Sequence, residues 1–206
     1  MPVEDAPREL RARGKRTQAR LLEAGIEVFA RRGYHSARVD DIVKLAKTSH
    51  GTFYLYFANK EDLFRALATN VAAELKELAE ALPPITPGPE GRAALHAWLE
   101  RFADAYALYG PVIRAWTEAE IGKSEFGRMG TDVHAEFTRA LLDRIRVACP
   151  PDVDPTIAAV ALVAMIERSN YYVLSGQVAV ERAAMVDTLT SVVHSSLYGA
   201  PLPSRA

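Results

Sequence analysis

Apolar residues recur at helical spacing along most of this chain, and this periodicity limits the fold more than any other feature of the sequence. Leu21, Leu22, Ile26 and Phe29 fall on one face of a helix, and similar stripes continue toward the C-terminus. No segment shows a sustained alternation of apolar and polar residues between hairpin turns. We therefore predict an all-α fold.

Interruptions of the apolar pattern divide the chain into elements. Residues 1–16 contain Pro2, Pro7 and Gly14 and no apolar period, so we expect a flexible basic arm there. Thr17 is placed to cap the first helix, and Gly33 to end it. The prolines of 83–89 predict a connector. Helices are expected over the remaining periodic segments, namely 17–32, 39–46, a short third segment from Ser49, 59–82, 91–108, 111–121, 125–148, 155–175 and 180–198.

Composition excludes several classes of protein. The chain has 206 residues, of which 49% are hydrophobic, so it can bury a substantial core. Cys149 is the single cysteine, which excludes an intrachain disulfide and favours a reducing compartment. No uninterrupted apolar run approaches 18 residues, and the N-terminus carries charges where a signal peptide needs apolar residues. We expect a cytoplasmic protein.

Charge is distributed unevenly along the chain. Residues 1–65 carry 13 Lys and Arg against 9 Asp and Glu, whereas the remainder carries 12 and 17. A polyanion is therefore expected to meet the N-terminal part of the molecule. A basic N-terminal tail that is only solvated, with no polyanion bound, would give the same distribution of charge.

The sequence offers no catalytic or metal-binding constellation. It has no phosphate-binding glycine loop after a strand and no HExxH motif, and its five histidines are not paired at ligand spacing. Asp132, His134 and Glu136 alternate, but i, i+2 side chains of a helix point apart. We expect neither enzymatic activity nor a bound metal or cofactor.

The segment from Val39 to Phe57 has the organisation of a helix-turn-helix. A short amphipathic helix has two acids in its first turn, where the helix dipole favours them, and it is followed by a brief turn. A second segment then opens at Ser49, an N-cap candidate, and carries Phe53 and Phe57 at i, i+4 as a pair expected to be buried. Between these two phenylalanines and before them lie small polar groups, an imidazole and a glycine, which can approach phosphates and base edges closely. Either this segment binds DNA, or it is a surface turn that carries two tyrosines.

The run from Ala46 to Leu63, AKTSHGTFYLYFANKEDL, resembles the signature of the tetracycline-repressor (TetR) family. FARRGY at 29–34 and VDDI at 39–42 stand at the spacing of that family, and the specific match covers residues 17–65. The resemblance implies a three-helix DNA-binding domain over 17–65, followed by a helical effector-binding and dimerisation domain over 66–206. It also implies that double-stranded operator DNA is contacted by residues of the first four helices, namely Thr17, Arg38, Lys47, Thr48, Ser49, His50, Gly51, Thr52, Tyr54, Tyr56 and Lys60.

Two positions depart from the family pattern. Lys47 and Thr48 replace a usual glycine and branched apolar residue, so we expect a slightly different turn. Arg38 replaces the Ser or Thr that usually caps the second helix, so a hydroxyl contact to phosphate is missing and a charged contact is our hypothesis in its place.

The resemblance implies that the C-terminal body binds a small effector and forms a homodimer through its last two long helices. The first of these helices carries Ala158, Ala161 and Ala164, a small-residue surface that suits either a two-fold interface or the core of one chain. As a two-fold dimer, the protein would require a nearly palindromic operator. A helical ligand-binding module without DNA binding is the other class of function that we retain.

The body is rich in aromatic residues, and Trp98, Phe102 and Tyr106 repeat at i, i+4, i+8. This stripe is either core or the wall of an apolar pocket. The C-terminal part also resembles the ethionamide-regulator-like branch of the family, which implies a lipophilic effector. Glu167 and Asn170 would orient such a ligand or pair with another polar group. The candidate effector residues are Trp98, Phe102, Tyr106, Trp116, Phe137, Glu167, Asn170 and Tyr171.

Overall fold

The computed structural model describes residues 5–119, 125–146, 148–149 and 152–199, with side-chain placement over 13–114, 128–146, 148–149 and 152–199. Within these ranges the regular structure is entirely helical, which confirms the all-α prediction. The helices are α1 Asp5–Ser36, α2 Val39–Leu45, α3 His50–Tyr54, α4 Lys60–Glu80, α5 Pro89–Ala119, α6 Glu125–Ile145, α7 Pro155–Leu174 and α8 Arg182–Tyr198.

Helix α1 begins at Asp5 and not at Thr17, so the stretch expected to be a flexible arm is helical from Asp5 onward. Pro7 does not prevent this, because it falls in the first turn, where backbone amides have no intrahelical acceptor. The Thr17 hydroxyl donates to the carbonyl of Arg13 at 3.0 Å, so Thr17 lies inside the helix and the prediction that it is an N-cap is wrong.

Gly33 interrupts α1, as predicted. Its backbone has φ 70° and ψ 166°, a conformation outside the helical region that glycine adopts without a Cβ penalty. After this break the helix continues to Ser36 in a different direction. Tyr34, directly after the glycine, is buried in the core.

Helix α5 is continuous from Pro89 to Ala119, whereas the sequence predicted two helices separated before Pro111. A proline removes one intrahelical hydrogen bond, but burial of apolar side chains on both sides of it can keep the helix intact. Tyr106 and Val112 are both buried.

The chain divides into two compact units, Met1–Val71 with Pro111–Gly130, and Ala72–Gly110 with Thr131–Ala206. In the first unit α1 packs on α2, and α2 packs on α3. An added Cβ at Gly25 would lie 2.6 Å from Leu63 Cδ2, so α1 approaches α4 more closely than any larger residue permits. The boundary predicted after Arg65 falls within α4.

In the second unit α7 packs on α8. Asp154 caps α7 by accepting hydrogen bonds from the amides of Thr156 and Ile157, at 2.8 and 3.0 Å. Helix α7 is long and apolar enough to span a membrane by length and composition alone, with a mean hydropathy of 1.3. Its buried residues Ala159, Leu162 and Ile166 form one face, which leaves a second apolar face exposed.

Candidate nucleic-acid interface and effector site

Helix α3 is short, and it is held in place by a cap and by two buried rings. The Ser49 hydroxyl accepts from the amide of Thr52 at 3.1 Å, which confirms Ser49 as the N-cap. Phe53 and Phe57 are buried with their ring centres 5.7 Å apart. The inward face is thereby fixed, and the other side chains of α3 face outward.

The turn between α2 and α3 is a Schellman motif. The amide of Thr48 donates to the carbonyl of Val43 at 3.0 Å, and the amide of Lys47 donates to that of Lys44 at 3.3 Å. Lys47 takes the left-handed conformation at φ 48°, where such turns usually have glycine. The expectation of a different turn is therefore wrong, since the lysine adopts the geometry that a glycine would.

Several predicted contact residues lie together on the outward surface of α2 and α3. Tyr54 is 57% exposed, and Arg38, Lys47, His50 and Gly51 are also exposed. Thr48, Thr52 and Tyr56 are half-buried, with Ser49 exposed beside them. An added Cβ at Gly51 would make an ordinary van der Waals contact with Ser49 Oγ at 3.8 Å, so a methyl group fits there without displacing a neighbour. Leu55, which sequence reasoning passed over, is 81% exposed next to Tyr54.

Arg38 is the N-cap residue of α2, and its side chain makes no capping hydrogen bond. Tyr56 lies beside α1, since its hydroxyl is 3.4 Å from a Cβ built on Gly14. Helix α1 therefore passes close to Tyr56, two residues beyond the end of α3.

Two neighbouring acids at the start of α2 have different partners. Asp40 Oδ1 lies 2.5 Å from His50 Nε2, and this contact bridges the turn from α2 to α3. Asp41 Oδ1 lies 3.1 Å from Arg32 and ties α2 to α1. The sequence indicated both acids only as favourable charges in a first helical turn, because their partners depend on the tertiary geometry.

Lys60 is bound to the end of α1. Its ammonium donates to the carbonyls of Tyr34, at 2.9 Å, and His35, at 3.4 Å, and it lies 4.7 Å from the centre of the Tyr34 ring. Burial raises the pKa of Tyr34, and Glu61 raises it further while Arg65 opposes the shift. The residue predicted to meet a phosphate therefore also joins α1 to α4.

The aromatic stripe of the body forms one buried cluster. Trp98, Phe102, Tyr106 and Phe137 are each at most 8% exposed. Phe102 lies 5.6 Å from Trp98, 6.2 Å from Tyr106 and 5.5 Å from Phe137, measured between ring centres. The Trp98 indole donates to the carbonyl of Leu78 at 2.9 Å. The other three rings thus pack around Phe102.

Polar groups of α7 border this cluster. The Tyr106 hydroxyl donates to Glu167 Oε1 at 3.0 Å, and Glu167 Oε2 lies 3.6 Å from Arg168. Asn170 is 1% exposed and donates to the carbonyl of Ile166, whereas its Oδ1 has no hydrogen-bond partner among the described residues. The half-buried Tyr171 ring lies 5.3 Å from the Arg168 guanidinium. The Trp116 side chain is outside the described residues.

The fold and the exposed face of α3 define a helix-turn-helix protein. Residues 21–67 match the family described as "Bacterial regulatory proteins, tetR family". The match lies across α1 to α4, the helices that position the exposed surface.

Known proteins extend the similarity beyond this segment. An uncharacterized HTH-type transcriptional regulator of Bacillus subtilis, YhgD, is 34% identical over 61% of this chain and 63% of its own length. HTH-type transcriptional regulator EthR of Mycolicibacterium smegmatis is 27% identical over 93% of this chain and 91% of its own. The structure of FadR from Bacillus subtilis, in complex with stearoyl-CoA, has a TM-score of 0.64 at 20% identity and covers 86% of this chain and 98% of its own. The chain spans 37–63% of the length of the first three curated relatives that it matches.

Proposed function

We propose that this protein is a ligand-responsive transcriptional regulator that binds a palindromic operator as a homodimer and acts as a repressor. The observation that carries the proposal is the rigidly capped helix α3 with an open, polar outward face. In this proposal residues 17–65 bind DNA, and residues 66–206 bind the effector and form the dimer.

The side chains on the α2 and α3 surface suit two kinds of contact with DNA. His50, Thr52 and Tyr54 carry hydrogen-bonding groups for base edges and phosphates, and Gly51 lets the backbone approach. Lys47 and Arg38 are exposed cations for phosphates. The excess of basic residues before position 66 favours the same partner.

We assign the effector site to the aromatic cluster and to Asn170, which follows Glu167 by about one turn of α7. Apolar rings surrounded by a few polar groups suit a lipophilic molecule. The unpaired Asn170 Oδ1 would accept a hydrogen bond from a donor on the ligand, because a buried carbonyl without a partner costs free energy. Entry of a ligand requires the rings of Trp98, Phe102 and Phe137 to separate, since they pack on one another.

The exposed face of α7 supports dimerisation through the last two long helices. Ile157 is 67% exposed and Val160 is 41% exposed, with the exposed small residues Ala161 and Ala164 beside them. A contiguous apolar face of this kind usually marks an interface. Arg168 interrupts the apolar face, which favours a protein partner over a lipid one and a cytoplasmic location.

Effector and operator would be coupled by a shift between two states of the dimer. In one of these states the spacing of the two α3 helices does not match the operator half-sites. An effector that binds this state more tightly than the other lowers operator affinity, by an amount set by the difference between its two binding free energies.

A selection of fragmented genomic DNA by the purified protein tests the proposal. The native protein is expected to enrich one short palindrome, and Tyr54→Ala is expected not to. Leu108→Ala, which removes an exposed apolar side chain from α5, is the control and should enrich the same palindrome. If the native protein enriches no sequence, a ligand-binding module without DNA binding replaces this account.

A further inference from the structure

One close polar contact on the α2 and α3 surface adds little to the stability of the fold. Asp40 Oδ1 and His50 Nε2 are 2.5 Å apart, and the two side chains are 73% and 53% exposed. An exposed pair of this kind contributes at most about 1 kcal/mol to stability. Ser49, Phe53 and Phe57 already hold α3 by capping and burial.

The contact fixes the chemistry of the imidazole. A carboxylate only accepts hydrogen bonds, so the hydrogen between the two atoms is carried by His50 Nε2. In the neutral imidazole the other ring nitrogen, Nδ1, is then an acceptor. Without Asp40 the ring could exchange these roles and rotate.

We propose that Asp40 is a specificity-determining residue that makes His50 present an acceptor to DNA. This inference rests on the proposed function. An acceptor at Nδ1 selects a major-groove amino group, which is N6 of adenine or N4 of cytosine, and it disfavours guanine O6 and thymine O4 at that position. Asp40 acts through His50 and needs no DNA contact of its own.

Asp41, one residue along, is instead paired with Arg32 of α1. The two acids thus have different partners, and only Asp40 contacts the imidazole.

The test is a selection from a fully randomised duplex library with native protein, His50→Ala, Asp40→Ala and the double variant. Glu23→Ala is the matched control, because it removes an exposed acid of α1. Thermal unfolding of each variant establishes that the exposed substitutions leave the fold intact.

The operator position at which His50→Ala loses the base preference of the native protein identifies the base pair that His50 contacts. We expect a loss of roughly fivefold or more in that preference for Asp40→Ala, and the double variant should match His50→Ala. Because every base pair carries one major-groove amino group, affinity is also measured for the selected duplex with that group removed, by purine in place of adenine or 2-pyrimidinone in place of cytosine. The native protein should lose affinity for the altered duplex, and His50→Ala should not. Glu23→Ala should keep the preference, and other positions should keep theirs in all variants.

Unchanged preference in Asp40→Ala, no position affected by His50→Ala, or a native affinity that does not fall when the amino group is removed would overturn this inference while leaving the proposed function standing. If the native protein selects no sequence, both fail.

Discussion

The Lys60 ammonium lies 2.9 Å from the backbone carbonyl of Tyr34 and 4.7 Å from the centre of the same residue's ring. One lysine therefore satisfies a carbonyl at the end of α1 and packs on a buried aromatic face. The phosphate contact that the family resemblance implies for Lys60 would have to be made in addition to these bonds or in exchange for them.

Lys60→Met is expected to lower the free energy of unfolding by about 1–2 kcal/mol, because a charge-assisted hydrogen bond and a cation–π contact are lost. Chemical denaturation measures this loss. Lys76→Met, at an exposed lysine of α4, is the control and should have little effect. Equal stability of the two variants would show that the bonds to Tyr34 and His35 contribute nothing.

Lys47→Gly is expected to raise the free energy of unfolding by about 0.5–1 kcal/mol, because glycine adopts the left-handed backbone at φ 48° without strain. Lys44→Gly, the same substitution within α2, should lower it by about 1 kcal/mol. Removal of the Lys47 charge should also weaken the salt dependence of DNA binding. A loss of stability in Lys47→Gly would contradict the strain argument.

Gly51→Ala separates stability from binding. Its methyl group makes only an ordinary contact with Ser49 Oγ in the free protein, so stability should be unchanged or higher by up to about 1 kcal/mol. Operator affinity should fall roughly tenfold, which is about the effect of losing one base contact. The reason is that the methyl group would occupy space that the DNA needs. Gly25→Ala should instead destabilise the protein, since its Cβ meets Leu63. Undiminished operator affinity of Gly51→Ala would show that α3 does not approach DNA at this residue.

Arg38→Ala should leave stability unchanged, because the arginine makes no side-chain cap. The slope of log affinity against log salt should become about one unit shallower if the arginine meets a phosphate. Arg38→Thr should restore a capping hydroxyl and stabilise the protein by about 1 kcal/mol. An unchanged salt slope in Arg38→Ala would rule out the phosphate contact.

Asn170→Leu should keep or raise stability, by up to about 1 kcal/mol, because it removes a buried acceptor without a partner. The variant should bind operator normally yet respond far less to a lipophilic effector in a DNA-release titration. Tyr106→Phe, which removes the hydroxyl bonded to Glu167 but keeps the ring, is the companion variant. A full effector response in Asn170→Leu would place the effector site elsewhere.

Features that depend on nearby residues were predictable from sequence. The Ser49 cap, the buried Phe53 and Phe57 and the break at Gly33 all follow from spacing of a few residues, and the structure confirms them. The start of α1 was not predicted, because Pro7 suggested an interruption that a first helical turn tolerates.

Features that depend on tertiary geometry could not be predicted. The pairing of Asp40 with His50 requires the turn to bring two helices together, and the engagement of Lys60 by Tyr34 requires α4 to lie against the end of α1. Continuity of α5 through Pro111 depends on burial on both sides of the proline, as at Tyr106 and Val112, which the local sequence pattern does not record.

The most direct test of the account is the ratio of affinities for the selected palindrome and for a scrambled duplex of equal length, measured at one physiological salt concentration. Sequence-specific binding through α3 predicts a ratio on the order of a thousand or more for the native protein and a much smaller ratio for Tyr54→Ala. Equal affinity of the native protein for both duplexes would contradict the central claim that α3 reads DNA sequence.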